Sequence, residues 1–125
     1  MQVKGYGATS AEVPVAPIVF ERREVGPHDI QIDIEYCGVC HSDIHMVRSE
    51  WGPSIYPIVP GHEVVGKVVA IGSHVTKFKL GQTAGVGVFV DSCRECPSCK
   101  AGQEQYCDDD MTATYNDFYR DGKTQ

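Results

Sequence analysis

Between residues 30 and 36 the chain reads Ile-Gln-Ile-Asp-Ile-Glu-Tyr, which puts Ile30, Ile32, Ile34 and Tyr36 on one face of an extended segment and Gln31, Asp33 and Glu35 on the other. That period of two predicts an antiparallel strand with one face buried. Residues 64–71 are nearly unbroken apolar and rich in valine, so a strand covered on both faces is expected there, and 83–90 reads similarly around Gly85 and Gly87. Residues 17–25 give an earlier strand candidate. Gly26-Pro27-His28-Asp29, Gly72-Ser73 and Lys79-Leu80-Gly81 punctuate these runs as turns. Short strands so separated predict a mainly β domain, a small barrel or sandwich. A helix is expected over 42–50, with Ser42 as its cap and Trp51-Gly52-Pro53 as its stop. From Asp108 periodicity fades, and loop or loosely held chain is expected.

A chain of 125 residues suits one domain and can bury enough surface to fold without disulfides. The formal net charge of -6, with no basic run, excludes the usual nucleic-acid footprint. The longest apolar runs fall far short of the ~20 residues that span a bilayer, and the polar start lacks a signal core, so a cytoplasmic protein without membrane partners is expected. In that reducing compartment six cysteines point to metal or redox chemistry.

Cys93, Cys96, Cys99 and Cys107 form C-x2-C-x2-C-x7-C. Three thiolates on tight turns and a fourth closing the shell suit a tetrahedral ion with no open position, the signature of structural zinc. An iron–sulfur cluster, free thiols and disulfides are rival readings; against the cluster, Asp108 stands where a ferredoxin-type run places proline. A second group lies at strand ends: Cys40-His41-Ser42-Asp43-Ile44-His45 follows the alternating strand, and Gly61-His62-Glu63 precedes the apolar one. Cys40 and His62 are candidates to share one metal, with Glu63 as a third ligand, although each residue alone has a purely structural reading. Cys37 and Cys40 also form a C-x2-C pair, but without the βαβ context of a redox motif, and Cys37 is expected to be buried and inert.

The run Cys37-Gly-Val-Cys40-His41-Ser42-Asp43, then Gly61-His62-Glu63-Val64-Val65-Gly66, then the four-cysteine segment, resembles the zinc-dependent medium-chain alcohol dehydrogenases. The stretch from Val86 to Asp91-Ser92-Cys93 and on to Glu104-Gln105-Tyr106-Cys107 is similar to the cinnamyl-alcohol-dehydrogenase-like branch, which includes bacterial aldehyde reductases. The resemblance implies that residues 1–125 are a GroES-like catalytic domain, a partly open β-barrel with a short helix and a projecting zinc lobe over about 91–108. A Rossmann nucleotide-binding domain and a further cysteine ligand, neither present in this chain, would belong to the complete enzyme. Two Zn2+ ions are then expected, a structural one on Cys93, Cys96, Cys99 and Cys107 and a catalytic one on Cys40 and His62. Glu63 beside the latter would act during ligand exchange, and Asp43 would orient the His62 ring.

The resemblance also implies interconversion of small primary alcohols and aldehydes with a nicotinamide cofactor, NADP(H) rather than NAD(H). Ser42 would take the alcohol proton and pass it by way of the cofactor ribose to His45, while His41 would lie near the cofactor pyrophosphate. A homodimer or homotetramer is implied for the complete enzyme, with little activity in this chain alone. The alternative, a zinc-stabilised binding or assembly module without chemistry, would carry one inert ion and no exchangeable one.

Overall fold

Among the described residues every strand pairing is antiparallel. A computed structural model describes residues 1–123. β1 (Gln2–Gly7) pairs with β2 (Ala16–Glu21). β3 (Ile30–Cys37), β4 (Val64–Ile71) and β5 (Thr83–Val86) form a second sheet in that order, and β6 (Phe89–Asp91) pairs with β7 (Thr112–Ala113). The three sheets leave a partly open arrangement.

The expected strands are present, with three differences in detail. The β3–β4 register shifts twice, by an extra residue of β4 at Val69 and by one of β3 at Glu35. Ile34, opposite Gly66, and Tyr36, opposite outward-facing Val65, are 59% and 74% exposed rather than buried. β4 is covered on one face only: Val64, Gly66 and Val68 are buried, while Val65, Lys67 and Val69 face outward. The expected strand over 83–90 is divided into β5 and β6 around Gly87 and Val88. β1 and β7 were not expected, because Gly5 and Gly7 dilute the pattern in one and the other is two residues long.

Gly66 explains its own place inside a strand. A Cβ there would lie 2.1 Å from the Asp33 carbonyl oxygen, so only glycine lets β3 and β4 meet at that register. A small core gathers Ala8, Val47 and Ile58, against which Met46, Tyr56 and Tyr115 pack. Ala8 and Ile58 exchange two backbone hydrogen bonds of 2.9 Å, joining the end of the first sheet to the loop before β4. The chain exposes 8348 Å², against about 6,600 Å² for a compact monomer of its mass. Among the described residues no helix is long and apolar enough to cross a membrane.

The turn before β3 is held by charge. Asp29 accepts from the Gly26 amide at 2.7 Å and makes a two-pronged pair with Arg23, whose guanidinium also lies 4.2 Å from the Tyr119 ring centroid. The hydrogen bond from Arg23, then that from Gly26, hold the Asp29 carboxyl below its usual range. A lowered folded-state value contributes stability above the unfolded pKa of ~3.9, and that contribution disappears as pH falls through the folded value. Asp29→Asn is expected to cost about 1 kcal/mol or less at pH 7, since solvent screens this part-exposed pair. The gap to the parent should shrink below about pH 4, as urea titrations at both pH values would register.

Candidate functional site

Two strand ends and one helix start build the first cluster. Cys37, the last residue of β3, pairs with Val64, the first of β4, and the Gly38 amide donates to the Glu63 carbonyl at 3.0 Å. That register brings the residues just after β3 beside those just before β4. The ligand atoms of Cys40, His62 and Glu63 all lie within 4.8 Å of one another. His62 is buried, Cys40 half-buried and Glu63 exposed.

α1 (His41–Val47) follows immediately, with Cys40 rather than Ser42 at its N-cap. The Asp43 carboxylate takes the capping role, accepting from the Cys40 amide at 2.8 Å. Its other oxygen lies 3.2 Å from His62 Nδ1. One carboxylate, itself buried, thus fixes the helix start and the imidazole together. With Nδ1 turned to Asp43, Nε2 is free to face the cluster, and it lies 4.0 Å from a Glu63 oxygen. The helix ends before residue 50 because Ser49 takes a φ of 54°, in the left-handed region.

The Ser42 hydroxyl, then its amide, hold the Cys40 thiol below its ordinary pKa, which favours the thiolate a metal requires. Tyr115 stacks on His62 at 5.5 Å between ring centroids. Burial, with Asp43 close by, pushes the Tyr115 phenol up. Tyr115 was not foreseen, because it lies in the tail expected to be loosely held. That tail is instead fastened: β7 joins it to β6, Asn116 accepts from the Ile55 amide at 2.7 Å, and Asp117 accepts from the Ala113 amide at 2.8 Å.

His45 and His41 sit one helical turn apart on α1, with ring centroids 4.8 Å apart. Trp51 stacks on His45 at 4.6 Å, and the Glu50 carboxylate bonds to His45 Nδ1. Glu50 also escaped the sequence reading, since five residues separate it from its partner and only the chain reversal after the helix brings them together. Trp51 is 64% exposed and borders this group, whereas Tyr56 is structural, its hydroxyl donating to the Val47 carbonyl. Cys37, expected to be buried, is exposed at the end of β3.

The second cluster is the cysteine lobe. The sulfurs of Cys93, Cys96, Cys99 and Cys107 lie within 4.8 Å of one another, and those of Cys93 and Cys99 are 3.9 Å apart. Four thiolates at about 2.3 Å around a tetrahedral ion would be about 3.8 Å from each other. Backbone amides donate to the sulfurs: Glu95 and Cys96 to Cys93, Cys99 and Asp108 to Cys96, and Cys93 to Cys107, at 3.3–3.4 Å. Such donors stabilise negative sulfur. The Ser92 hydroxyl favours the Cys99 thiolate, but burial and the adjoining Cys96 and Cys107 sulfurs outweigh it and push this thiol up to about 11. The donor set and spacing fit a closed zinc site. α2 (Pro97–Lys100) forms within the lobe, capped by the Cys96 sulfur. At the lobe's base, buried Asp91 pairs with Arg94 and, at 3.4 Å, with Arg120.

A mainly β chain thus carries a four-sulfur lobe and, at its strand ends, a Cys–His–Glu cluster, two groups whose geometry could each hold a metal ion. Residues 26–123 match the alcohol dehydrogenase GroES-like domain, and the chain belongs to that family. It is 57% identical over 121 residues to NADP-dependent alcohol dehydrogenase C 1 of Mycolicibacterium smegmatis, covering 96% of this chain and 35% of that protein. Aldehyde reductase YahK of Escherichia coli is 56% identical over 116 residues, covering 93% and 33%. A cinnamyl alcohol dehydrogenase from Sorghum bicolor superposes with a TM-score of 0.94 at 46% identity, covering all of this chain and 36% of that one. One from Helicobacter pylori complexed with NADP(H) gives 0.93 at 44%, covering 99% and 36%. The chain thus spans about a third of the length of these relatives.

Proposed function

We propose that the chain is the catalytic domain of a cytoplasmic, zinc-dependent, NADP(H)-linked alcohol dehydrogenase or aldehyde reductase acting on small primary alcohols and aldehydes. The observation that carries this reading is the convergence of Cys40, His62 and Glu63, with His62 oriented by Asp43. Cys40 and His62 would hold the catalytic ion, and Glu63 would trade places with incoming oxygen ligands. Cys93, Cys96, Cys99 and Cys107 would hold the structural ion. Zn2+ bound in the first site supplies a Lewis acid for an alcohol or aldehyde oxygen, and NADP(H) supplies or accepts the hydride.

The remaining work falls to the chain's own groups. Ser42 holds the substrate proton at its hydroxyl, and His45 exchanges it with solvent. Glu50, bonded to His45 Nδ1, keeps the ring oriented with Nε2 free, and Trp51 supports the ring face. His41, exposed at the first position of α1, would meet an anionic part of the cofactor. The nucleotide fold itself would be a Rossmann domain of the complete protein, in a homodimer or homotetramer.

NADPH-dependent aldehyde reduction by the complete protein should vanish when a chelator removes the exchangeable ion, and return on adding Zn2+. Reduction that survives loss of that ion would overturn the metal-dependent reading, and a protein that carries one inert ion and reduces no aldehyde would be a zinc-stabilised module without chemistry. His45→Asn is expected to lower kcat at least tenfold, and Glu50→Gln severalfold, in steady-state assays with KM little changed.

A further inference from the structure

The two turns that flank β3 and β4 on the side away from Cys40 carry one histidine each. His28 belongs to the turn before β3 and His74 to the turn after β4, and both side chains are exposed. His28 Nε2 and His74 Nδ1 face each other at 3.2 Å, with ring centroids 4.8 Å apart and an interplanar angle of 65°. Two neutral imidazoles can hold that geometry by one N–H···N bond, which requires a particular tautomer of each ring. Two lone pairs aimed at one cation require it as well: nitrogens at 2.0–2.1 Å from a common ion, at angles of 90–109°, stand about 2.9–3.4 Å apart.

The backbone beneath the pair is stiff. The His74 amide donates to the Pro27 carbonyl at 2.8 Å, and the Gly72 amide to the Asp29 carbonyl at 2.8 Å. Gly72 permits this closeness, since a Cβ there would lie 2.2 Å from the Gly26 carbonyl oxygen. The Asp29 carboxylate is already engaged by Arg23 and the Gly26 amide, which locks the same turn from its other side. An ion arriving here would therefore find both nitrogens in place and would not have to order two loops. Beside the pair lies an open depression of about 300 Å³ lined by Ile30, Val75 and Phe78 as well as Lys77, roomy enough for the water ligands that would complete the coordination.

We propose that His28 and His74 form a bidentate surface site for a divalent transition-metal ion of the imidazole-preferring class, Ni2+, Cu2+ or Zn2+, separate from both clusters described above. Neither cluster shares a residue with it, and occupancy would cross-link the β3 and β4 turns. Ni2+ is the probe of choice, because Cu2+ would also oxidise the thiols.

Protein loaded with Zn2+ and then dialysed, so that zinc stays only where thiolates hold it and the exposed imidazoles are left free, is titrated with Ni2+ by calorimetry at neutral pH, while a chromogenic chelator reports any zinc released. One Ni2+ equivalent is expected to bind without zinc release and to raise Tm. His28→Ala and His74→Ala should each weaken that binding at least tenfold and abolish the Tm rise. Both side chains are exposed, so the variants should match the parent by circular dichroism and in zinc content. Unchanged Ni2+ binding in either variant, binding matched by zinc release, or no binding to the parent would each overturn the proposal.

Discussion

Asp43→Ala is expected to weaken Zn2+ binding at the Cys40–His62 cluster by 10–100-fold, the range typical when the partner that orients a histidine ligand is removed. Asp43 does two things with one carboxylate, accepting from the Cys40 amide at 2.8 Å and facing His62 Nδ1 at 3.2 Å. Alanine leaves buried His62 without that partner, which costs about 1–3 kcal/mol, and uncaps the part-buried Cys40 amide at a smaller cost. Asn separates the two roles. Its carbonyl oxygen can still cap the Cys40 amide, so Asp43→Asn should melt close to the parent. It no longer offers a second acceptor to His62, so its zinc affinity should still fall. Competition with a chromogenic chelator gives the affinity and circular dichroism the melt. Parent-like zinc affinity in Asp43→Asn would mean that His62 is positioned by stacking on Tyr115 rather than by the carboxylate.

Cys96→Ser should have the largest effect on the lobe. The Cys96 sulfur accepts from the Cys99 and Asp108 amides and caps α2, so it organises the segment besides offering a ligand. A serine hydroxyl at that position stays protonated near neutral pH and binds zinc poorly. The variant should retain one zinc fewer after dialysis. Because binding energy at such a site is also folding energy, Tm should fall on the order of 10 °C. Hydrogen exchange offers the sharper readout, since the amides of Cys99, Lys100 and Asp108 should lose protection while those of β3 and β4 keep it. A lobe that stays protected without its ion would show that the Asp91 pairs with Arg94 and Arg120 suffice to hold it.

What could be read from the residues alone depended on how local the cause was. The convergence of the cysteine lobe was legible because three of its cysteines lie within seven consecutive positions, and covalent spacing sets most of their geometry. Cys40 and His62 are 22 positions apart, yet both flank strong strand patterns, and strand ends that pair must bring their flanks together. The burial of β3 was misjudged, since alternation assigns a face but not what covers it: Ile34 lies opposite buried Gly66 and is still exposed, and the extra residue at Glu35 sets Tyr36 opposite outward-facing Val65. The helix cap was assigned to Ser42 because cysteine is not a usual cap, whereas the acceptor that counts is Asp43 three residues on from Cys40. Tyr115, Asn116 and Glu50 carry no periodic or motif signal. Their partners lie across a turn or in another part of the chain, and only the closed fold names them.

The uncovered strand faces carry a thermodynamic signature. Ile58 and Val68 are the largest side chains buried to below 2% exposure, and more surface meets water than a compact monomer of this mass would show. Unfolding releases heat capacity mainly through newly wetted apolar area, so this chain should fall below the usual ~12–15 cal/mol/K per residue in scanning calorimetry. With so little curvature, its stability would vary gently with temperature, and cold would loosen it less than it loosens a protein with a deep interior.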